Sequence, residues 1–426
     1  MTEPETLDGR GALGSTDELA RLLRESPALG ATRAALLVDG GVHGTEIHRR
    51  VADALGRRPY ETLTSNGAGD LDDVLALGGR LEGAGLILAL GGGSLLDRAK
   101  LASLAASGPE TARHLTVPQR SGLIVLTRVP RRSMPLIAVP TTIGTGSETS
   151  AVACLAYPDA KRLVMGAALR PEFSVLDPLA TVTLPRHLLV EGVLETFFRL
   201  VSPYVGDPAD LPEPDARVEA TAVRLLRLGD EIAEATREGG PATDEQRARS
   251  ARLSARSHAQ HLHDGRDPYA VKGWLIANEL STALGLRKMT AVAALLPPLW
   301  QAIDEGEERL GSARRLRRLW AVIRTGLGRS LPDRPAVGVA SLIDAWGIER
   351  RVVADPEVTG AIAHRIVRAW GAGLPMLGGL GHPDVSRLLR RTVAAAGRAP
   401  DHEVPASPAR AGVSTHRTEG QLSAVT

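Results

Sequence analysis

Two segments in the first third of the chain combine glycine and hydroxyl residues with neighbouring apolar runs. The first, LALGGGSLLDRAK at 88–100, has a buried-strand pattern, then three glycines, then a helical pattern. Glycines allow backbone amides to approach a phosphate, and the dipole of the following helix favours negative charge. A tight turn without a ligand has the same layout, but three consecutive glycines carry a high entropic cost for a plain turn. The segment therefore predicts an anion-binding turn, although its spacing is not GxGxxG.

The second segment, PTTIGTGSETS at 140–150, follows another apolar run. Its hydroxyl side chains could surround a nucleotide with hydrogen bonds, and they include Thr141, Thr142, Thr145 and Ser147. A polar turn would explain the composition, but not its density at the carboxyl end of a strand, where α/β proteins bind their ligands. The segment predicts a second wall of the same site.

A third pattern places an acid and a base in GVLETFFR at 192–199. Glu195 and Arg199 are four residues apart, so on a helix they share one face. They are either a structural ion pair or part of an active site, and the spacing alone leaves both interpretations open.

Strand and helix patterns alternate along the first part of the chain. Apolar runs at 34–39, 86–90 and 134–140 predict strands, and periodic segments at 46–56, 70–85 and 95–106 predict helices. This alternation is typical of a parallel sheet in an α/β domain.

After residue 183 the apolar positions recur at three and four, which is typical of helices. The pattern is clear at 215–235, 244–264 and 385–398. We therefore predict an α/β domain over 1–182, an all-α domain over 183–398, and a disordered polar tail over 399–426.

Bulk properties narrow the function classes. The net charge is +2 without a long basic run, which gives no case for nucleic acid, and no apolar stretch reaches the length of a membrane span. The polar, acidic N-terminus is not a secretory signal, and the single cysteine, Cys154, forms no intramolecular disulfide. These features predict a cytoplasmic protein.

Three motifs together resemble the iron-containing (group III) alcohol dehydrogenase family, which is related to glycerol dehydrogenase and dehydroquinate synthase. They are GGGSLLDRAK, PTTIGTGSETS and VLDPLATVTLP, and the resemblance covers about residues 30–390. It implies a dinucleotide domain, a helical domain and a cleft between them. The cofactor positions that it implies are Gly91, Gly92, Gly93 and Ser94 at the pyrophosphate, Asp97 and Lys100 within the motif, Thr141, Thr142 and Ser147 along the cofactor, and Lys161 near the nicotinamide ribose.

Asp39, at the end of the first strand, matches the family acid that contacts the adenosine ribose. A carboxylate there would repel a 2′-phosphate, so the resemblance implies NAD rather than NADP.

The metal positions of the family are changed. In the family an Asp, a His four residues later and two more His fourteen residues apart hold the metal. Counting from neighbouring motifs places Glu195 on the Asp, and Arg199, Trp274 and Lys288 on the three His. Asn278 falls on a further family His. Since arginine, protonated lysine and tryptophan do not bind iron or zinc, we predict no metal at this site.

Two interpretations of this change compete. In the first, the chain is a non-catalytic relative in which Glu195 pairs with Arg199 and Lys288 for structural reasons. In the second, which we favour, the fixed cations replace the metal, and they stabilise a substrate oxygen or bind a carboxylate. A relocated metal is a third alternative, since SHAQHLHD at 257–264 carries His258, His261, His263 and Asp264. A solvated helix end explains that segment better, and His258 or His261 could instead be a general base if it faces the cleft.

We therefore predict an NAD-dependent, metal-independent dehydrogenase of a hydroxyl group on a small molecule or a peptide C-terminus. The changed ligand set resembles the dehydrogenases of daptide-type ribosomal peptide pathways, in which a C-terminal threonine is oxidised and decarboxylated before amination. The alternative from another class is a catalytically degenerate partner that binds peptide or another enzyme. A homo-oligomer, or a complex with other biosynthetic enzymes, is compatible with either.

Overall fold

The computed structural model describes residues 5–395, apart from 8–9, 27–28, 30–32, 66, 68, 128–131 and 159. The predicted disordered tail, 399–426, lies outside the described residues. The described chain begins with alternating strands and helices and continues as a group of packed helices.

The strands are short and concentrated before residue 176. They are β1 Glu5–Leu7, β2 Arg10–Leu13, β3 Ala34–Asp39, β4 Tyr60–Ser65, β5 Leu86–Gly91, β6 Leu123–Val125, β7 Leu136–Pro140, β8 Val152–Tyr157, β9 Ala160–Met165, β10 Phe173–Val175, β11 Val352–Ala354 and β12 Val393–Ala395.

Five helices lie among the strands of the first part and nine follow in the second, within the described residues. They are α1 Thr16–Glu25, α2 Glu46–Ala54, α3 Leu71–Leu81, α4 Gly93–Ala106, α5 Pro109–Thr116, α6 Arg186–Gly206, α7 Pro212–Arg237, α8 Asp244–Arg256, α9 Lys272–Leu284, α10 Lys288–Asp304, α11 Ala313–Leu327, α12 Pro335–Ala345, α13 Pro356–Trp370 and α14 His382–Thr392.

The main sheet has seven strands in the order β1-β2-β10-β7-β5-β3-β4. Only the β1–β2 pair is antiparallel, so the carboxyl ends of β3, β5 and β7 meet at one edge. Alternate residues of β3 enter different cores: Leu37 packs on one face of the sheet and Leu36 and Val38 pack on the other. Helices cover both faces, which explains why the central strands are continuous apolar runs. The predicted α/β fold of the first domain is confirmed.

A second, three-stranded sheet with the order β6-β9-β8 stands beside the first. Strands β8 and β9 form an antiparallel hairpin in which Cys154 pairs with Leu163 and Ala156 with Lys161. Directly paired residues point to the same face, and so do residues two apart. Cys154 and Lys161 therefore share one face of this hairpin.

The helices after residue 183 enclose one large apolar core. Helix α6 runs through it, and Leu194, Phe197 and Phe198 are fully or nearly fully buried. The predicted helical domain is present, with two differences from the expectation. Helix α8 ends at Arg256, so 257–264 is not helical except for a short 3-10 helix at Gln260–Leu262.

The second difference is a small parallel sheet in the helical part. Helix α14 ends at Thr392, and Val393–Ala395 pairs with Val352–Ala354 instead of continuing the helix. Both segments carry β-branched valines, which favour strands when a pairing partner is available. No helix among the described residues combines the length and apolarity that a membrane crossing requires.

Candidate active site

The glycine turn connects β5 to α4. Gly91 ends the strand, Gly92 is the N-cap residue, and α4 begins at Gly93 without a side-chain cap. Ser94, in the first turn, is exposed. A 14-residue helix that starts with uncapped amides at the carboxyl edge of a parallel sheet fits a phosphate group.

Close packing explains the glycines. A Cβ added to Gly93 would lie 2.6 Å from Cγ2 of Thr145, and one added to Gly91 would lie 2.4 Å from the Leu95 side chain. The Gly93 amide also donates a hydrogen bond of 3.3 Å to Oγ1 of Thr142. The glycine turn and the hydroxyl-rich loop are thus in direct contact, as expected for two walls of one site.

A buried lysine and aspartate hold the hydroxyl-rich loop in place. Lys100 is fully buried, and its ammonium donates to the carbonyl oxygens of Ser147 and Val152 at 2.9 and 2.8 Å. Asp97 accepts from the Ser147 hydroxyl at 2.5 Å and from the Cys154 amide at 2.8 Å. Both oxygens of Asp97 are therefore engaged within the protein, and Asp97, Lys100 and Ser147 tie α4 to the loop and to β8. Thr141 is buried, and its amide donates to the Gly91 carbonyl at 3.0 Å.

Asp39 lies at the edge of the glycine turn. A Cβ on Gly91 would be 3.1 Å from Cβ of Asp39, and the Asp39 carboxylate accepts from the Gly41 amide at 2.9 Å. The side chain is half-buried. This position, after β3 and next to the helix N-terminus, suits contact with a ribose, so the residues present fit a dinucleotide.

Glycines also allow close backbone contact between the hydroxyl-rich loop and helix α6. A Cβ added to Gly144 would lie 2.7 Å from the carbonyl oxygen of Gly192. A Cβ added to Gly192 would lie 2.6 Å from the carbonyl oxygen of Ile143. Gly144 has φ +101°, a conformation that L side chains rarely adopt. Helix α6 therefore packs directly against the hydroxyl-rich loop, and the side chains on that face of α6 reach the cofactor region.

Four residues form the charged cluster, defined as Glu195, Arg199, Trp274 and Lys288. Oε1 of Glu195 lies 3.3 Å from the Arg199 guanidinium and 3.7 Å from Nζ of Lys288. Both cations also face the indole of Trp274, with Arg199 at 5.3 Å and Lys288 at 4.5 Å from the ring centroid. Helices α6, α9 and α10 thus bring together the four positions that the sequence assigned to the lost metal site.

The two cations differ in their freedom. Arg199 donates to the Gly144 carbonyl as well as to Glu195, and only 13% of its side chain is exposed. The Lys288 side chain is 34% exposed. Lys288 also lines a cleft of about 520 Å³ together with Lys161. Arg199 is therefore held by the protein, whereas Lys288 is open to a ligand.

The charged cluster does not fit a metal ion. It offers one carboxylate, two cations and an indole, and cations repel a metal. Within the described residues, no three His, Cys, Asp or Glu side chains gather closely enough to hold one.

The three histidines of 257–264 lie in different environments. His258 packs against Gly146, and its Nε2 lies 3.4 Å from the Thr145 carbonyl oxygen. Nε2 of His263 lies 3.0 Å from the Ser257 carbonyl oxygen, and His261 is exposed. Burial lowers the pKa of His258 well below its usual value, and the nearby Arg199 lowers it further.

Glu148 is a buried acid that the sequence did not single out, although it lies inside the hydroxyl-rich loop. It is 3% exposed, and its Oε2 has no hydrogen-bond partner among the described residues. Burial raises its pKa to about 7, an effect that the charges of Arg199 and Lys100 oppose. Glu148 can therefore change protonation near neutral pH, next to the charged cluster.

Two further residues lie near the site, Cys154 and Asn278, and the sequence had assigned neither of them a role in binding or catalysis. The half-buried Cys154 has a pKa raised by burial and by Asp97, and the charges of Lys288 and Lys161 oppose that rise. Asn278 lies one turn after Trp274 on α9; it is 4% exposed, and its Nδ2 has no partner among the described residues. An unpaired buried donor is costly, so a donor of this kind calls for an explanation.

The sequence is similar to iron-containing alcohol dehydrogenases over the N-terminal part of the chain, which carries the glycine turn. Residues 11–178 match the model of the family described as iron-containing alcohol dehydrogenase. The chain is 30% identical over 220 residues to the NADPH-dependent aldehyde reductase YqhD of Escherichia coli (strain K12), which covers 50% of this chain and 53% of the relative. It is 35% identical over 144 residues to the mitochondrial hydroxyacid-oxoacid transhydrogenase of Caenorhabditis elegans, covering 33% of this chain and 30% of the relative. The chain thus spans about half the length, or less, of these curated relatives.

The fold is similar over a greater length. The NADH-dependent butanol dehydrogenase A of Thermotoga maritima matches with a TM-score of 0.73 at 17% identity, covering 92% of this chain and 99% of that one. The sulfoacetaldehyde reductase of Bifidobacterium kashiwanohense, in complex with NAD+, matches with a TM-score of 0.71 at 16% identity over the same shares. These matches confirm the predicted fold class, an α/β domain followed by a helical one.

Proposed function

We propose that the protein is an NAD-dependent oxidoreductase that interconverts a hydroxyl group and a carbonyl group. The observation that carries this proposal is the position of Lys288, an open cation in a cleft shared with Lys161. Through Glu195 and Arg199, Lys288 is connected to Gly144 in the hydroxyl-rich loop. The similarity to aldehyde and alcohol oxidoreductases supports the same reaction class.

The cofactor would be held by groups from both walls. The uncapped amides at the start of α4 would bind its pyrophosphate, the hydroxyl-rich loop would line it, and Lys161 would contact its nicotinamide end. Asp39 would bind the adenosine ribose and would repel a 2′-phosphate, which favours NAD, although the Escherichia coli relative is NADPH-dependent. Bound NAD would supply the acceptor for the hydride of the carbinol carbon.

The chain's own residues stabilise the oxygen during this step. As the hydroxyl proton passes to solvent water in the open cleft and the hydride leaves the carbinol carbon, negative charge develops on the substrate oxygen. The Lys288 ammonium donates to that oxygen, and Arg199 adds a fixed positive field from its bond to Gly144. Glu195 orients both cations through its contacts of 3.3 and 3.7 Å. In this proposal the reaction is metal-independent.

For the substrate we propose the C-terminal threonine of a ribosomally made peptide, as in daptide biosynthesis. Oxidation of its secondary hydroxyl gives a 3-keto acid, which loses CO2 readily. A cationic site suits a free C-terminal carboxylate.

A catalytically degenerate protein that binds a peptide or a partner enzyme is the second candidate function. The mutual pairing of Glu195, Arg199 and Lys288 favours it, since the trio is neutralised in part without any ligand.

The test measures cofactor, metal and turnover on the same preparation. NAD and NADP are titrated by calorimetry, metal content is measured on the purified protein, and a threonine-ended peptide is assayed for NADH formation and CO2 release. Arg199→Ala should abolish most turnover while NAD binding is preserved. Unchanged turnover in that variant would reject the site, and absence of NAD binding in the wild type would favour the degenerate partner.

A further inference from the structure

A groove lined by six cationic side chains leads away from the charged cluster. The cleft beside Lys288, about 520 Å³, shares Ala160, Lys161 and Arg365 with a second cleft of about 220 Å³. The two clefts form one continuous groove between the β8–β9 hairpin and helices α9, α10 and α13. We call it the basic groove, and its cationic side chains are Arg120, Lys161, Arg162, Lys288, Arg365 and Arg368.

The basic groove holds little compensating negative charge. The acid that lines it, Glu279, has a side chain only 3% exposed and is already bonded to Nε1 of Trp370 at 3.2 Å and to Arg365 at 3.3 Å. Among the described residues, Arg162 and Arg368 form no ion pair with a carboxylate. Arg162 stacks on the ring of Tyr157, with its guanidinium carbon 4.4 Å from the centroid, so it is fixed at the groove wall.

The distribution of these cations indicates the shape of the ligand. A single phosphate or carboxylate would be met by cations that converge on one point. Here they are spread along two connected clefts, from Lys288 at the proposed reaction centre to Arg368 on α13. We propose that the basic groove binds an acidic peptide segment in extended form, which precedes the residue that is oxidised. This inference rests on the proposed function and adds the recognition of the substrate beyond its reacting end.

The test measures binding without turnover. Two fluorescein-labelled peptides end in the same threonine with a free carboxylate; one carries Asp and Glu before it and the other carries Asn and Gln. Fluorescence anisotropy is measured for the wild type, for Arg162→Glu with Arg368→Glu, and for the matched control Arg57→Glu with Arg224→Glu. The control changes the same charge at two exposed arginines outside the groove.

We expect the acidic peptide to bind about tenfold more tightly than the neutral one, and its affinity to fall as salt is raised. The groove variant should lose about tenfold in affinity for the acidic peptide, whereas the control should match the wild type. Equal affinities for the two peptides, or for the groove variant and the wild type, would overturn the inference. A single-stranded oligonucleotide of equal charge that binds as tightly would overturn the assignment to a peptide.

This design separates the inference from the proposed function. Tight, charge-dependent binding without any NAD-linked turnover would support peptide binding by the basic groove and refute the proposed enzymatic activity. Turnover of a short threonine peptide at a rate that neither upstream acids nor the groove variant changes would support the enzymatic activity and refute peptide binding by the basic groove.

Discussion

Replacing Lys288 by methionine isolates the charge that the proposed chemistry needs. Methionine keeps a long, flexible apolar side chain against Trp274, so it removes the ammonium with little change in packing. The variant leaves Glu195 paired with Arg199 at 3.3 Å, which limits the effect on stability. We expect a lower kcat with a nearly unchanged affinity for NAD.

The structure sets the size of this effect. Two unit charges 4 Å apart interact by about 4 kcal/mol near a protein surface and by about 1 kcal/mol in water. Because the Lys288 side chain is 34% exposed, an intermediate value of about 2 kcal/mol is appropriate. Since about 1.4 kcal/mol is worth a factor of ten in rate, kcat should fall about 30-fold.

Arg287→Met is the matched control. Arg287 precedes Lys288 in the chain, but its guanidinium pairs with Glu191 at 2.8 Å and not with Glu195. Steady-state kinetics and NAD titration are measured for both variants, with circular dichroism as the check on folding. If Lys288→Met retains wild-type kcat, or if both variants lose the same amount, Lys288 does not stabilise the developing charge.

Three other results are expected. Because the folded pKa of Glu148, about 7, lies above its ordinary 4.5, its contribution to stability is complete below pH 4.5 and is lost as pH rises through 7. The free energy of unfolding of the wild type in urea should therefore fall by about 3 kcal/mol relative to that of Glu148→Gln between pH 4.5 and 8. Parallel plots of unfolding free energy against pH for the two proteins would contradict the burial of that acid. Alkylation of the single cysteine, Cys154, followed by mass spectrometry, should accelerate with rising pH and slow several-fold with NAD; equal rates with and without NAD would place the cofactor elsewhere. Replacing the four residues of the charged cluster by the aspartate and three histidines of the resembled family should create a site for one zinc ion, measured by calorimetry, and a folded variant without zinc affinity would show that the four positions do not converge.

The central sheet could be predicted from the sequence because its strands are buried on both faces. The runs at 34–39 and 86–90 correspond to Ala34–Asp39 and Leu86–Gly91, and each is almost entirely inaccessible to solvent. The glycine turn was equally clear, since it follows such a run and precedes a helix. These elements can be predicted from their own residues, because continuous apolar runs indicate the strands and glycines indicate the turn.

Other elements depend on distant partners and could not be predicted in this way. Most residues of the β8–β9 hairpin are partly exposed, with two buried residues in β8 and one in β9, so it lacks a continuous apolar run. The final strand, β12, forms only because Val352–Ala354 is available to pair with it. The end of α8 at Arg256 is similar, because the following residues turn so that His258 can pack against Gly146.

In the candidate site, too, some features follow from the local sequence and others depend on contacts between distant residues. The sequence identified the charges at 195, 199 and 288 but not which cation is available, since both are compatible with an ion pair to Glu195. That difference depends on the contact between Gly144 and Gly192, which brings the Gly144 carbonyl within reach of the Arg199 guanidinium. A planar guanidinium already bonded to a carbonyl and a carboxylate has little freedom to turn toward a substrate. Lys288 carries a flexible stem and faces a cleft, so in the proposed reaction Lys288 makes the direct contact with the reacting oxygen and Arg199 acts through its fixed charge.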